Sequence, residues 1–244
     1  GFRVSDFEFR ISSFGFRVSG FGFRVSSFFN FVVLLMETVV LNLKDQKLYG
    51  KHIEAAALAL RAGELVAFPT ETVYGLGAYR DDARAVECIY EAKQRPEDKR
   101  LTLMIADRDD VKRYVDDVSD TAIKLMDFFW PGPLGIIFPL SDGTDVSIRL
   151  PDNAVARDMI RMANIPVVTT SANISGYPPA TDAQQAFMDL GGKISLILDG
   201  GSTRFRSPST MVRAEEDGSI TVVRQGIITE ASIRSCLEHG LVKV

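Results

Sequence analysis

Cysteine and histidine are scarce: Cys88 and Cys236 are the only cysteines, and His52 and His239 the only histidines, in 244 residues. Two widely separated cysteines make neither a disulfide framework nor a zinc site. Two histidines leave no His-based metal cluster, and a reducing cytoplasm is the compartment this usage fits. An excess of positive charge is also missing. The formal net charge is −4, so nothing global advertises nucleic acid, and any basic surface must be local. Long apolar runs are lacking too. The stretch Phe28-Phe29-Asn30-Phe31-Val32-Val33-Leu34-Leu35 is far shorter than the roughly 20 residues that cross a bilayer, so no membrane association is expected. There is no G-x-x-x-x-G-K-[ST], no G-x-G-x-x-G after a strand and no G-x-S-x-G elbow, which excludes a P-loop, a dinucleotide fingerprint and a nucleophile elbow. What is present is an ordinary globular balance, 46% hydrophobic and 25% charged, in a chain long enough for one good domain or two small ones.

The first 35 residues stand apart. Gly1-Phe2-Arg3-Val4-Ser5-Asp6-Phe7 is followed by Glu8-Phe9-Arg10-Ile11-Ser12-Ser13-Phe14, and Gly15 and Gly22 open two more copies. The period is seven, but Gly, Ser and β-branched residues are poor helix formers and no a/d seam results. An odd period also scrambles strand alternation. The repeats are rich in Arg and Ser, as a transit peptide is, but no A-x-A-like cleavage site follows. The expectation is that residues 1–35 are a repetitive extension outside the functional domain, which starts near Met36. The four arginines and two acidic residues of the repeats leave the remainder more negative than the whole chain's −4.

From Met36 the signals alternate. Strands are expected at Val39–Leu43, Leu65–Phe68, Leu101–Ile105, Ile136–Leu140, Val146–Leu150, Pro166–Thr170 and Ile194–Leu198, with a hairpin of Thr210–Arg213 and Ile220–Arg224 around Asp217-Gly218. Helices are expected over Lys51–Arg61, from Asp82 to about Lys93, from Ser119 or Asp120 to Trp130-Pro131-Gly132-Pro133, from about Asn153 to Ala163, and from Thr229 to before Gly240. No Pro/Ser-rich linker interrupts this, so residues 36–244 read as one α/β domain.

Several stretches carry chemistry. Phe68-Pro69-Thr70-Glu71-Thr72-Val73-Tyr74-Gly75-Leu76-Gly77 follows a buried strand that Pro69 should stop. It reads either as a ligand site on a strand end or as a polar turn whose glycines shape the loop. Lys93 and Arg95, on either side of a helix end before Pro96, are suited to clamp a polyphosphate. The alternative is cations that complement the helix dipole and face water. Thr169-Thr170-Ser171-Ala172-Asn173 ends the strand from Pro166. Such hydroxyl and amide groups have no core role unless each finds a partner, and they suit binding of a carboxylate, ribose or phosphate. Asp199-Gly200-Gly201 and Ser207-Pro208-Ser209-Thr210 are two more polar loops after strands. Arg149 is expected on the polar face of its strand.

Together these motifs resemble the YrdC-like family of threonylcarbamoyl-AMP synthases. The resemblance runs from about Leu48 to Ile228. It rests on Pro69 to Gly77, the K-x-R of Lys93 and Arg95, Trp130-Pro131-Gly132-Pro133, the strand ending in Arg149, and the S-x-N of Ser171 and Asn173. Asp199-Gly200-Gly201, Pro208-Ser209-Thr210 and Arg224-Gln225-Gly226 extend it. Each motif is weak alone; their order and spacing are specific. The resemblance implies a single YrdC-like domain, with a twisted mixed sheet flanked by helices and a concave basic ligand-binding face. Some relatives carry a second C-terminal domain, and the single-domain form is expected here.

The implied reaction joins L-threonine, bicarbonate and ATP into threonylcarbamoyl-adenylate and pyrophosphate. Partner proteins then modify the tRNA adenosine beside the anticodon, and the domain itself makes at most a weak tRNA contact. By resemblance, Lys93, Arg95, Ser171 and Asn173 are catalytic. Lys93, Arg95, Ser171 and Arg224 bind ATP, with magnesium on its phosphates and no metal ligand assigned to the protein. Thr70, Arg149, Thr169 and Ser209 bind threonine. Met104 stands where many relatives have histidine, Asp145 where threonine is common, and Pro179 where serine is often found. The alternatives are an RNA-binding module of the same fold without catalysis, using Lys93, Arg95, Lys99, Arg100, Arg204 and Arg206, and a divergent paralogue that lost activity.

Overall fold

Residues 37–215 and 217–239 are described by the structure, a computed structural model. The heptad repeats and the expected start at Met36 lie outside them. Asp45, Asp82, Ser119, Asn153 and Asp182 each accept a backbone N–H from the first turn of a helix, and such a cap contributes about 1 kcal/mol. The helices they start are α1 (Gln46–Arg61), α2 (Ala83–Lys93), α3 (Asp120–Phe129), α4 (Ala154–Ala163) and α5 (Ala183–Leu190). The last, α6 (Glu230–His239), has the Thr229 hydroxyl accepting from the Ser232 N–H at 3.1 Å. A 3-10 turn occupies Arg108–Arg113.

The strands are β1 (Val39–Asn42), β2 (Val66–Phe68), β3 (Gly75–Tyr79), β4 (Thr102–Met104), β5 (Leu134–Pro139), β6 (Asp145–Arg149), β7 (Val167–Ser171), β8 (Leu196–Asp199), β9 (Thr210–Ala214) and β10 (Ile220–Arg224). They form one mixed ten-stranded sheet in the order β1-β8-β2-β3-β7-β4-β6-β5-β9-β10. The expected Asp217-Gly218 hairpin is the antiparallel β9–β10 pair.

Alternation along the strands builds two cores, because neighbouring side chains point to opposite faces. Val66, Phe68, Met104, Val167, Leu196 and Leu198 pack with α1 and α4 on one face. Ala67, Leu103, Val168 and Ile197 pack with α2, α3, α5 and α6 on the other. The structure is therefore the mixed α/β architecture the sequence implied, with helices on both sides.

Some elements differ from expectation. Helix α1 starts at Gln46 rather than Lys51, since the cap is Asp45. Strand β3 and helix α5 were not anticipated. Gly75 and Gly77 do not shape a loop; they lie in β3, opposite Phe68 and Val66. A Cβ would sit 3.2 Å from the Phe68 ring at Gly75 and 3.0 Å from it at Gly77. Phe68 lies across both positions, so glycine makes room for an aromatic ring on the neighbouring strand. Strand propensity scales count Gly against a strand, which is why β3 was hidden.

Candidate active site

The same alternation sets up the site. Thr169 and Ser171 share a face with Val167, and Arg149 faces away from the buried Ile148. With Thr102 and Met104 they line a cavity of about 280 Å³ on the face that α1 and α4 cover elsewhere. All nine residues expected at the site line this cavity: Thr70, Lys93, Arg95, Arg149, Thr169, Ser171, Asn173, Ser209 and Arg224. The nine thus converge from three strands, one helix end and four loops between residues 70 and 224. Arg204 and Arg206 do not line it. Arg204 lies over the Phe205 ring at 4.2 Å and pairs with Asp152.

Lys93 ends α2, and Gln94 turns the chain away in a left-handed conformation at φ 50°. The Lys93 side chain is 1% exposed, so it is no solvated dipole cap. Its Nζ donates to the carbonyls of Ser171 and Asn173, and its own carbonyl accepts from Ser175 N at 2.8 Å. The K-x-R helix end and the S-x-N loop are thereby joined. Burial, then the charge of Arg95, pulls the Lys93 pKa down to about 7. Arg95 stitches the following loop, donating to Lys99 O at 3.3 Å and Arg100 O at 2.9 Å. Burial also lowers the Arg95 pKa.

Arg149 sits deeper than a polar strand face would put it, at 6% exposed. Its Nη2 donates to Glu71 Oε1 at 2.7 Å and Thr72 Oγ1 at 2.9 Å, and its Nε to Gly132 O at 3.3 Å. Nη1 has no bonded partner among the described residues. Glu71, Thr72 and Gly132 hold Arg149 in place, and sequence reasoning left them without a role. The signal was there: a lone carboxylate in a hydroxyl-rich loop needs a cation when buried.

Thr70 organises that loop. Its hydroxyl donates to Val73 O at 2.7 Å, accepts from Thr72 N at 3.2 Å and meets Thr72 Oγ1 at 2.9 Å. Thr169 donates to Thr102 O at 3.0 Å, which leaves its lone pairs toward the cavity. Arg224 donates to Ser209 O at 2.9 Å and to Ser209 Oγ at 3.1 Å. Burial first, then Arg149 and Arg95, lowers the Arg224 pKa, as expected of cations around one void. Asn173 donates to Ile174 O and Tyr177 O, both at 2.8 Å, and its buried Oδ1 has no partner.

Lys93, Arg95, Lys99, Arg100, Arg149 and Arg224 line the cavity, with no Asp or Glu among its lining residues, a charge balance suited to anions. Arg149 with Glu71 and Arg224 carries a net single positive charge, matched to a monocarboxylate. Lys93 and Arg95, with Lys99 and Arg100 on the rim, suit a polyphosphate. Among the described residues no cluster of metal-ligating side chains occurs, and no helix is long and apolar enough to cross a membrane.

The structure is an α/β protein with a polar cavity lined by lysines and arginines. The Sua5/YciO/YrdC family model, described as "Telomere recombination", matches residues 58–226, and the chain belongs to this family. It is 40% identical over 188 residues to the threonylcarbamoyl-AMP synthase of Pyrococcus abyssi, covering 73% of this chain and 55% of that protein. It is 40% identical over 196 residues to the threonylcarbamoyl-AMP synthase of Bacillus subtilis, covering 76% of this chain and 56% of that one. The crystal structure of Pyrococcus abyssi Sua5 complexed with L-threonine superposes with a TM-score of 0.74 at 35% identity, over 82% of this chain and 61% of that one. The chain spans about half the length of these curated relatives.

Proposed function

We propose that this chain is a threonylcarbamoyl-AMP synthase, a nucleotidyltransferase that makes threonylcarbamoyl-adenylate and pyrophosphate from L-threonine, bicarbonate and ATP. The observation that carries the reading is the single cavity that joins a buried arginine pocket to a Lys/Arg clamp. Similarity to the two synthases and to the threonine-bound Sua5 supports it.

The chemistry follows from positions. Bicarbonate supplies CO2 with loss of hydroxide. The threonine amine attacks CO2 and gives up a proton, forming a carbamate. A carbamate oxygen then attacks the α-phosphorus of ATP, and the bond to the bridging oxygen breaks to release pyrophosphate. Arg149 Nη1, beside Arg224 and Ser209, takes the threonine carboxylate. Thr169 accepts from the amine or hydroxyl, and Thr70 forms the wall rather than a free hydrogen-bond donor. Lys93 and Arg95 balance the phosphate charge, and Ser171 and Asn173 hold the carbamate end. Asn173 Oδ1, buried without a partner, is an acceptor for a ligand donor. Catalysis is positioning and preorganised charge. Magnesium enters with ATP as part of the substrate, held by the phosphates.

The product serves modification of the tRNA adenosine beside the anticodon, through partner proteins in the cytoplasm. Residues 36–244 are the working unit, and a chain beginning at Met36 keeps full turnover. The test is pyrophosphate release from ATP, with threonine and bicarbonate omitted in turn. Release requires all three; turnover that ignores threonine refutes the reading.

A further inference from the structure

We propose that Asp145 is a positioning residue that holds Arg100 at the phosphate side of the cavity without neutralising it. The proposal rests on the ATP reading given above. Asp145, Ser147 and Arg149 alternate along β6, so Asp145 lies on the same face as the site, at the far end of its strand. Arg213 occupies the matching face of β9, one strand beyond β5.

Arg213 grips both oxygens of the Asp145 carboxylate, and Arg100 Nη1 reaches Oδ2. The Asp145 side chain is 10% exposed, whereas that of Arg100 is 70% exposed. One carboxylate is therefore shared by two guanidinium groups, which leaves one positive charge uncompensated. Arg213 is the more enclosed of the two, with 32% of its side chain exposed, so the spare charge stays available at Arg100. Arg100 lines the cavity, and its Nε and Nη2 have no bonded partner among the described residues. Both guanidinium groups lower the Asp145 pKa, Arg213 first, so it remains an anchor at neutral pH.

The backbone of the loop is secured separately. Arg95 binds the carbonyls of Lys99 and Arg100, and Tyr90 OH donates to Lys99 O at 3.2 Å. Without Asp145 the Arg100 carbonyl stays in place while its side chain, free to rotate, must be ordered by the nucleotide. Ordering one such side chain weakens binding by roughly five-fold.

The test compares Asp145→Asn, Arg100→Gln and the double variant in the full chain. Readouts are KM for ATP, KM for threonine, the dissociation constant of a non-hydrolysable ATP analogue by calorimetry, and the thermal midpoint. Asp145→Asn is expected to raise KM for ATP and the analogue's dissociation constant about five-fold, with KM for threonine unchanged. Arg100→Gln is expected to raise them at least as much, and adding Asp145→Asn to it should change nothing further. An effect of Asp145→Asn that persists in the Arg100→Gln background, or falls equally on threonine, would overturn the positioning role. So would tighter ATP binding. Should Asp145→Asn unfold, the exposed Arg100→Gln decides alone: unchanged ATP binding sinks the proposal. An unaltered chain that binds the analogue but releases no pyrophosphate would fail the proposed function while leaving the positioning role measurable by calorimetry.

Discussion

Two arginines line the same cavity, and each is held by a carboxylate. Arg149 and Glu71 are 7% and 2% exposed in their side chains; Arg100 and Asp145 are 70% and 10% exposed. The difference is one of solvent. The Glu71 pair sits in a low-dielectric wall, where desolvation is costly and each partner depends on the other. The Asp145 pair lies at the rim, where water screens it and the arginine keeps conformational freedom. One side of the cavity is rigid and suited to selecting a small carboxylate. The other is adjustable and suited to a flexible polyphosphate.

The sharpest way to break this contrast is to remove both carboxylates in turn. Glu71→Ala leaves Arg149 buried and unpaired and should cost about 3–5 kcal/mol of stability in urea unfolding. Asp145→Ala is the small end of the same comparison, at about 1–3 kcal/mol, since it leaves the half-buried Arg213 without its partner. Equal losses would mean that the two sides do not differ in solvation.

The next effect is on rate. Arg95→Ala should lower pyrophosphate release by about 100-fold, the scale of losing one preorganised group that stabilises transition-state charge, with the fold retained by circular dichroism. An unchanged rate would remove Arg95 from the phosphate clamp. Lys93→Ala should also slow turnover. Unlike Arg95→Ala it costs stability as well, about 1–3 kcal/mol, because the carbonyls of Ser171 and Asn173 lose a buried donor.

The pH dependence sharpens the role of Lys93. Its folded pKa of about 7 lies below its ordinary 10.5. Folding therefore bears the cost of the buried charge below about pH 7, and that cost is relieved as pH rises through the interval toward 10.5. Stability should increase over that window in the unaltered chain and less so in Lys93→Met. In the same direction Lys93 loses its charge, so KM for ATP should rise above about pH 7. A flat ATP profile would show that Lys93 acts through the S-x-N loop alone.

A smaller, purely steric test concerns the core packing of β3 against β2 and β7. Gly77→Ala places a Cβ 3.0 Å from the Phe68 ring and 3.2 Å from Val167 Cγ1. About 1–3 kcal/mol of overpacking is expected, read as a lower thermal midpoint.

Much of this was legible in the amino-acid order. Local signals mark α2, α3 and α4 through Asp82, Ser119 and Asn153, and the β9–β10 hairpin through Asp217-Gly218. The nine candidate residues were legible through the family resemblance of their motifs, and only the hydroxyl and amide groups from Thr169 to Asn173 stood out because they have no core role. Three features were not. Strand β3 has glycines where a strand pattern wants branched side chains, and its reason lies in the Phe68 ring on another strand. Glu71 was one acid in a loop until its partner, 78 positions away, was placed beside it. Asp145 stood out only as a departure from its relatives, and its two arginines come from separate segments.

The sequence by itself determined the alternation of strands and helices, the caps and the types of groups available for anions, since these depend on neighbours within a few residues. The tertiary structure decided which groups share charge: Lys93 with two carbonyls, Arg149 with Glu71, Arg100 with Asp145. Coulomb and desolvation energies depend on distance and burial in space, and neither is encoded at any single position along the chain.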